Sequence, residues 1–266
     1  MKPRTIILAG AAFVALLAAG SAGTGPAGEG AKIEPITQTG DSSEPRNRAK
    51  IHSELAFLYY NRGNMAVALE ELRTATTSDA NYAPAYGIYG LVYMELRENG
   101  LAKQSFERGL SLAPGDPDLN HNYGVFLCFT GHEDDSIKYF LKAAQNPLYA
   151  TPSRSYTAAG SCSMRKNKLK EAEGFFTRAL QIDPNEPSAL LQMGQLRYKQ
   201  GNLDEARRYV SRFNKLVEPT AESLWLALRV ERKAGERVAE SSYAAQLRRR
   251  FNGSPEYQLL QRGQYD

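Results

Sequence analysis

The sequence predicts an all-α solenoid of about six helical hairpins that stack one on another along the chain. The first observation is a set of glycines, Gly90, Gly124, Gly160 and Gly194, which lie 34, 36 and 34 residues apart. The second is that other positions recur at the same interval with the same kind of side chain. The third is that apolar residues within each interval follow helical spacing. Such a unit buries little apolar surface alone, so neighbouring units must stack to form a core.

Each recurring position has a packing role that its residue type explains. The glycines, together with a second position of small residues, let two helices approach closely: Ala68, Ala102, Ser136, Ala172 and Ala206. A third position carries a large apolar side chain that fills the space toward the next hairpin: Leu72, Phe106, Phe140, Phe176 and Val210. Further glycines fall between the two helices of a unit, where a positive φ is useful: Gly63, Gly131, Gly201 and Gly235.

A unit of 34 residues with two helices resembles the tetratricopeptide repeat (TPR). The resemblance implies a right-handed superhelical solenoid. It places units near 49–82, 83–116, 117–152, 153–186, 187–220 and 221–254, followed by a C-terminal tail at 255–266. In the sixth unit, Glu240 stands where the other units have a small residue, and Ala244 stands where they have a large apolar residue. Such a departure is typical of a terminal capping repeat.

The N-terminus has the layout of an export signal. Lys2 and Arg4 precede an apolar run over residues 6–19, and small residues follow, so residues 1–22 are predicted to be a signal peptide cleaved after Ala22. Residues 23–47 are polar and rich in Gly, Ser, Thr and Pro, which predicts a flexible linker before a repeat domain at 48–266. A membrane anchor is the alternative interpretation of the apolar run.

Residues 17–20, Leu-Ala-Ala-Gly, resemble a bacterial lipobox except at the last position. That position should be a cysteine whose thiol accepts the lipid, and Gly20 has no nucleophile. The sequence therefore predicts an exported, unlipidated protein and leaves membrane association by other means undecided.

No residue pattern indicates catalysis, a cofactor or a metal. The three histidines, His52, His121 and His132, have no ligand spacing, and no phosphate-binding or nucleophile motif occurs. A net charge of +4 is too small to favour nucleic acid. Basic residues do cluster late in the chain, at 207–215 and 248–250. Solvated helix faces are the ordinary interpretation, and a patch for an acidic partner or lipid headgroups is the alternative.

The two cysteines, Cys128 and Cys162, fall late in the first helices of the third and fourth units. Equivalent helices of neighbouring units lie side by side, so the two thiols are expected at nearly the same height. In an oxidising compartment this predicts a disulfide. Two buried free thiols are the alternative, because cysteine packs well as a small apolar residue.

Protein partners of TPR domains bind on the concave face, which the first helix of each hairpin lines. The repeat register gives the candidate lining residues: Phe57, Tyr60, Leu91, Met94, His121, Val125, Thr157, Ser161, Leu191 and Tyr198. Four apolar or aromatic residues of this set are the predicted anchors: Tyr60, Leu91, Met94 and Val125.

Three segments resemble one family more closely than the generic repeat: residues 122–128, the insertion at 147–155, and the tail at 247–258. With the export signal and six units, they make the chain similar to the PilF/PilW family of type IV pilus biogenesis and stability proteins. The resemblance implies a non-catalytic scaffold that binds the pilus secretin subunit and promotes its localisation and multimerisation. It implies that the protein is located in the periplasm, at the inner face of the outer membrane. It also supports the pairing of the two cysteines. An assembly factor for another envelope complex is the alternative.

Overall fold

The computed structural model describes residues 43–265, in which the chain forms thirteen α-helices. They are α1 Ser43–Asn61, α2 Met65–Ser78, α3 Ala83–Glu95, α4 Asn99–Leu112, α5 Pro117–Phe129, α6 Glu133–Ala144, α7 Pro152–Arg165, α8 Leu169–Ile182, α9 Pro187–Lys199, α10 Leu203–Leu216, α11 Ala221–Ala234, α12 Arg237–Arg250 and α13 Pro255–Arg262. None of these helices is long and apolar enough to cross a membrane. The predicted signal peptide, Gly20 and most of the predicted linker lie outside the described residues.

Helices α1 to α12 pair in order as six hairpins, and each hairpin packs on the next. The odd-numbered helices α1 to α11 are the first helices, and α2 to α12 are the second helices. Successive first helices contact one another, whereas within residues 43–265 no two second helices do. The first helices therefore lie on the inner, concave side of the stack, and the second helices lie on the outer side.

The two ends of the repeat region differ from the sequence-based boundaries. Residues 43–47, placed in the flexible linker, belong to α1, because Pro45 is tolerated in a first helical turn and Glu44 favours the positive end of the helix dipole. The tail contains the helix α13, capped by the Ser254 hydroxyl, which accepts from the Tyr257 amide at 3.1 Å. Helix α13 packs against α11 and α12 and covers the last hairpin.

The turn within every hairpin contains one residue in the left-handed backbone region. Four are the predicted glycines, and the other two are Arg97, with φ 61°, and Asn167, with φ 58°. The residue that follows each of them donates its backbone N–H to the carbonyl five positions earlier, in the first helix. Asn64, for example, donates to the Tyr59 carbonyl at 2.9 Å. All six turns thus share one geometry, which the sequence marks with glycine in four cases.

The core of the middle hairpins consists of phenylalanine rings packed on helical glycines. Phe106, Phe140 and Phe176 are almost fully buried. A Cβ atom added to Gly160 would lie 2.5 Å from the Phe176 ring, and Gly90 and Gly124 face their own phenylalanines in the same way. These glycines are therefore required by the close approach of an aromatic ring.

Candidate partner-binding cleft

A cleft of about 560 Å³ lies on the concave side of the first three hairpins. Helices α1, α3 and α5 form its walls and floor, and Arg154 of α7 closes one end. The backbones approach closely here because α3 carries Gly87, whose added Cβ would lie 2.7 Å from a methyl carbon of Leu119 on α5. Small residues in the first helices thus create the concavity that larger side chains then line.

An aromatic wall forms the α1 side of the cleft. The rings of Phe57 and Tyr60 are stacked with centroids 6.1 Å apart and planes 25° apart. Phe57 remains 44% exposed. Burial, with a smaller contribution from Glu95, raises the pKa of Tyr60, so its hydroxyl stays protonated and able to donate. Leu91 of α3, which is half-buried, extends this apolar wall.

His121 forms part of the cleft floor and is almost fully buried. Its Nδ1 atom shares a 2.8 Å hydrogen bond with the hydroxyl of Ser155, the residue 34 positions later. The Phe140 and Tyr149 rings contact it with centroids at 5.7 and 6.4 Å. Burial, and secondarily the charge of Arg154, lower the pKa of His121 to about 4. The imidazole is therefore neutral at neutral pH.

The far end of the cleft is polar. Asp116 is the N-cap of α5 and accepts from the Leu119 amide at 2.9 Å, so its role is largely structural. Asp118 lies in the first turn of α5, and burial, followed by the charge of Asp116, raises its pKa. The charge of Arg154 on α7 partly offsets this increase in the pKa of Asp118. The cleft therefore offers apolar contact at one end and charged groups at the other.

The structure divides the predicted lining residues into two sets. Four of them line the cleft: Phe57, Tyr60, Leu91 and His121. Four others lie outside it: Met94, Val125, Thr157 and Ser161. Met94 packs against a core cluster of the second and third hairpins, and Val125 packs against one of the third and fourth. The expectation that Thr157 lines a groove is wrong, because its side chain is buried and its hydroxyl donates to the Ser153 carbonyl at 2.8 Å.

The two residues predicted further along the groove are also divided by their exposure. Leu191 is buried in the core of the fifth hairpin, whereas Tyr198 is only partly buried at its edge. The repeat register identifies residues on the first helices correctly. It does not separate those facing solvent from those facing the core, because adjacent helices cover part of each inner face.

A disulfide joins Cys128 of α5 to Cys162 of α7, with a Cα–Cα distance of 5.9 Å. It lies beside the Ser136 hydroxyl, which is 3.1 Å from the Cys162 Sγ atom. The bond therefore links the first helices of the third and fourth hairpins, α5 and α7, which also contribute residues to the cleft.

The charged cleft residues Asp118 and Arg154 were not found from the sequence, and neither was the contact of Tyr149 with His121. Tyr149 lies in the insertion of the third unit, and its ring contacts the ring of His121. A partial signal existed, since an insertion in an otherwise regular repeat indicates local specialisation. Among residues 43–265, no group of three or more His, Cys, Asp or Glu side chains could hold a metal ion.

Comparison with known proteins identifies close relatives along nearly the whole chain. Residues 83–116 and 163–216 match models of the tetratricopeptide repeat. The type IV pilus assembly protein PilF of Pseudomonas aeruginosa is 30% identical over 251 residues, which cover 94% of this chain and 97% of that protein. PilW, described as a widely conserved type IV pilus biogenesis factor, has a structure with TM-score 0.73 at 29% identity, covering 80% of this chain and 97% of that one. The Pseudomonas aeruginosa PilF structure gives TM-score 0.72 at 29% identity, covering 82% and 99%.

Proposed function

This chain belongs to the PilF/PilW family of type IV pilus biogenesis proteins, and we propose that it is a non-catalytic scaffold that binds the pilus secretin subunit. In this proposal the exported protein acts in the periplasm, at the inner face of the outer membrane. There it holds the secretin subunit while the subunit is localised and multimerises. Family membership supports the pilus role, and the cleft on the concave side supports the binding role.

The observation that carries the binding proposal is the exposed aromatic wall of the cleft. Phe57 leaves nearly half of its side chain in solvent while stacking on Tyr60, and Leu91 lies beside it. An exposed aromatic and aliphatic surface in a concave site is typical of protein-binding hot spots. A segment of the secretin subunit would place apolar side chains on this wall, with its polar groups toward Asp118 and Arg154.

A matched pair of phenylalanines allows a direct test. Phe57→Glu places a charge on the aromatic wall, whereas Phe129→Glu places the same charge on a residue that is 64% exposed and outside the cleft. We expect Phe57→Glu to reduce co-purification of the secretin subunit by about tenfold or more, because a carboxylate would have to be desolvated. Phe129→Glu should bind normally. A folded Phe57→Glu protein that binds the secretin subunit normally would overturn the cleft assignment.

The biological role has its own test. Deleting the gene should reduce secretin multimers in membranes and pili on the surface. Unchanged multimers would instead favour the second candidate, an assembly factor for another envelope complex.

A further inference from the structure

Two cations share one aromatic ring on the concave side of the last two hairpins, outside the cleft described above. The guanidinium carbon of Arg229 lies 4.7 Å from the centroid of the Tyr198 ring, and the Lys233 Nζ atom lies 5.2 Å from the same centroid. Arg229 also lies 5.7 Å from the Trp225 ring. Arg229 and Lys233 are one turn apart on α11, so both project from the same face of that helix.

The charges of this pair are not neutralised within the described part of the chain. Neighbouring arginines have carboxylate partners: Arg197 pairs with Glu173, Arg207 with Glu231, and Arg232 with Glu240, each at 2.7 Å. Among residues 43–265, by contrast, no carboxylate forms an ion pair with Arg229 or Lys233.

The surroundings of Arg229 also leave its side chain short of hydrogen-bond acceptors. Its Nε atom is buried without a hydrogen-bond acceptor, and the side chain as a whole is only partly exposed. Cation–π contacts are weak, and two like charges held over one ring repel each other. An added carboxylate would therefore be stabilised by both cations at once.

We propose that Tyr198, Arg229 and Lys233 form a subsite for a carboxylate side chain in an extended acidic segment of a protein partner. A guanidinium binds a carboxylate through two parallel hydrogen bonds, and the lysine adds a second positive charge. The site lies between α9 and α11 on the concave side, which fits an extended chain better than a flat bilayer. This inference goes beyond the proposed function, because it names a second contact region independent of the apolar cleft.

The protein contains a single tryptophan, Trp225, at this site, and it supplies an internal reporter. The probe is a fluorescein-labelled peptide of about ten residues with alternating serine and glutamate, and its control has glutamine in place of every glutamate. We expect the glutamate peptide to bind the protein at low salt with at least about tenfold higher affinity than the glutamine peptide, measured by fluorescence anisotropy. Binding should change Trp225 fluorescence and weaken as salt is raised.

The double variant Arg229→Gln/Lys233→Gln should lose about tenfold in affinity for the glutamate peptide. Its matched control, Lys170→Gln/Arg178→Gln, removes the same charge from α8 on the outer side and should stay within about twofold of the wild type. If the double variant is too unstable to assay, Lys233→Gln alone, at an exposed position, should still lose about threefold.

Either of two results would overturn the proposal. The first is equal binding of the glutamate and glutamine peptides. The second is binding of the glutamate peptide by the Arg229 and Lys233 variants with the affinity of the wild type. Loss of binding to phosphatidylglycerol vesicles in the double variant, with peptide binding intact, would assign the cations to a lipid surface instead. None of these results depends on the secretin subunit, so failure here is separable from failure of the proposed function.

Discussion

Hairpins two to four and hairpins five to six occupy the same repeat but hold their helices together differently. In the former, buried phenylalanines pack on glycines so closely that any added carbon would collide with a ring. In the latter, Val210 replaces the phenylalanine, and an added Cβ at Gly194 would have Leu226 at 3.2 Å as its nearest neighbour. The same spacing of residues therefore encodes an interlocked aromatic core in one region and a looser aliphatic core in the other.

Cross-links between hairpins follow the same division. The third and fourth hairpins are joined by the Cys128–Cys162 disulfide. The fifth and sixth are joined by Arg207, which donates from Nε and Nη2 to the buried carboxylate of Glu231 at 2.8 and 2.7 Å. Covalent and aromatic contacts thus hold the region beside the cleft, and charged hydrogen bonds hold the region beside the cationic subsite. We expect the two regions to respond differently to reduction, to acid and to substitution.

The largest expected difference concerns the disulfide. Replacing both cysteines, Cys128→Ala/Cys162→Ala, should lower the free energy of unfolding by about 3–4 kcal/mol, because the bond closes a long loop in the unfolded chain. Urea unfolding of wild type and variant measures this. Reductant should shift the wild-type midpoint toward that of the variant and leave the variant unchanged. Equal midpoints in oxidised wild type and variant would show that the bond does not stabilise the stack.

The second difference concerns acid. Between the folded pKa of His121, about 4, and its ordinary value of 6.5, the unfolded chain binds a proton that the folded chain does not. Stability from this group is therefore complete above pH 6.5 and is lost as pH falls toward 4, by up to about 3 kcal/mol. Unfolding free energies of wild type and His121→Gln across this range measure it.

The acid effect should also be local, since the three histidines all lie in the first three hairpins. Hydrogen exchange at pH 5 should show loss of protection in α5 and α7 before α11. An identical pH dependence in wild type and His121→Gln would contradict the assignment. Asp118, whose raised pKa acts in the opposite direction, is present in both proteins and cancels in the comparison.

The smallest expected difference has opposite signs in the two regions. Gly160→Ala should destabilise the protein by about 1–3 kcal/mol, because its Cβ meets the rigid Phe176 ring. Gly194→Ala should be neutral or stabilising by up to about 1 kcal/mol, because alanine favours the helix and Leu226 can yield slightly. Thermal and urea unfolding measure both.

A double-mutant cycle identifies the cause of that difference. In a Phe176→Ala background the ring is gone, so Gly160→Ala should no longer destabilise the protein. If Gly160→Ala still lowers the free energy of unfolding without the ring, backbone crowding rather than the aromatic contact explains why glycine is required at position 160.

The sequence by itself determined the repeat, its six hairpins and its turns. Periodicity is a local property, and each unit repeats the same small, large and turn residues, of which Gly63, Gly131, Gly201 and Gly235 are the clearest. The pairing of Cys128 with Cys162 could also be predicted, because neighbouring equivalent helices lie side by side in any such stack. The family resemblance likewise came from short segments that depart from the generic repeat.

Only the tertiary structure decided which inner-face residues are accessible and what surrounds them. Thr157 and Phe57 occupy first helices alike, yet the former is buried and the latter is exposed, because packing of neighbouring helices covers one and not the other. The ring of Tyr149 over His121, the cap helix α13 and the two cations over Tyr198 likewise join residues from different hairpins or from an insertion. The sequence register fixes which helix a residue belongs to. Exposure and charge balance depend on how neighbouring helices cross.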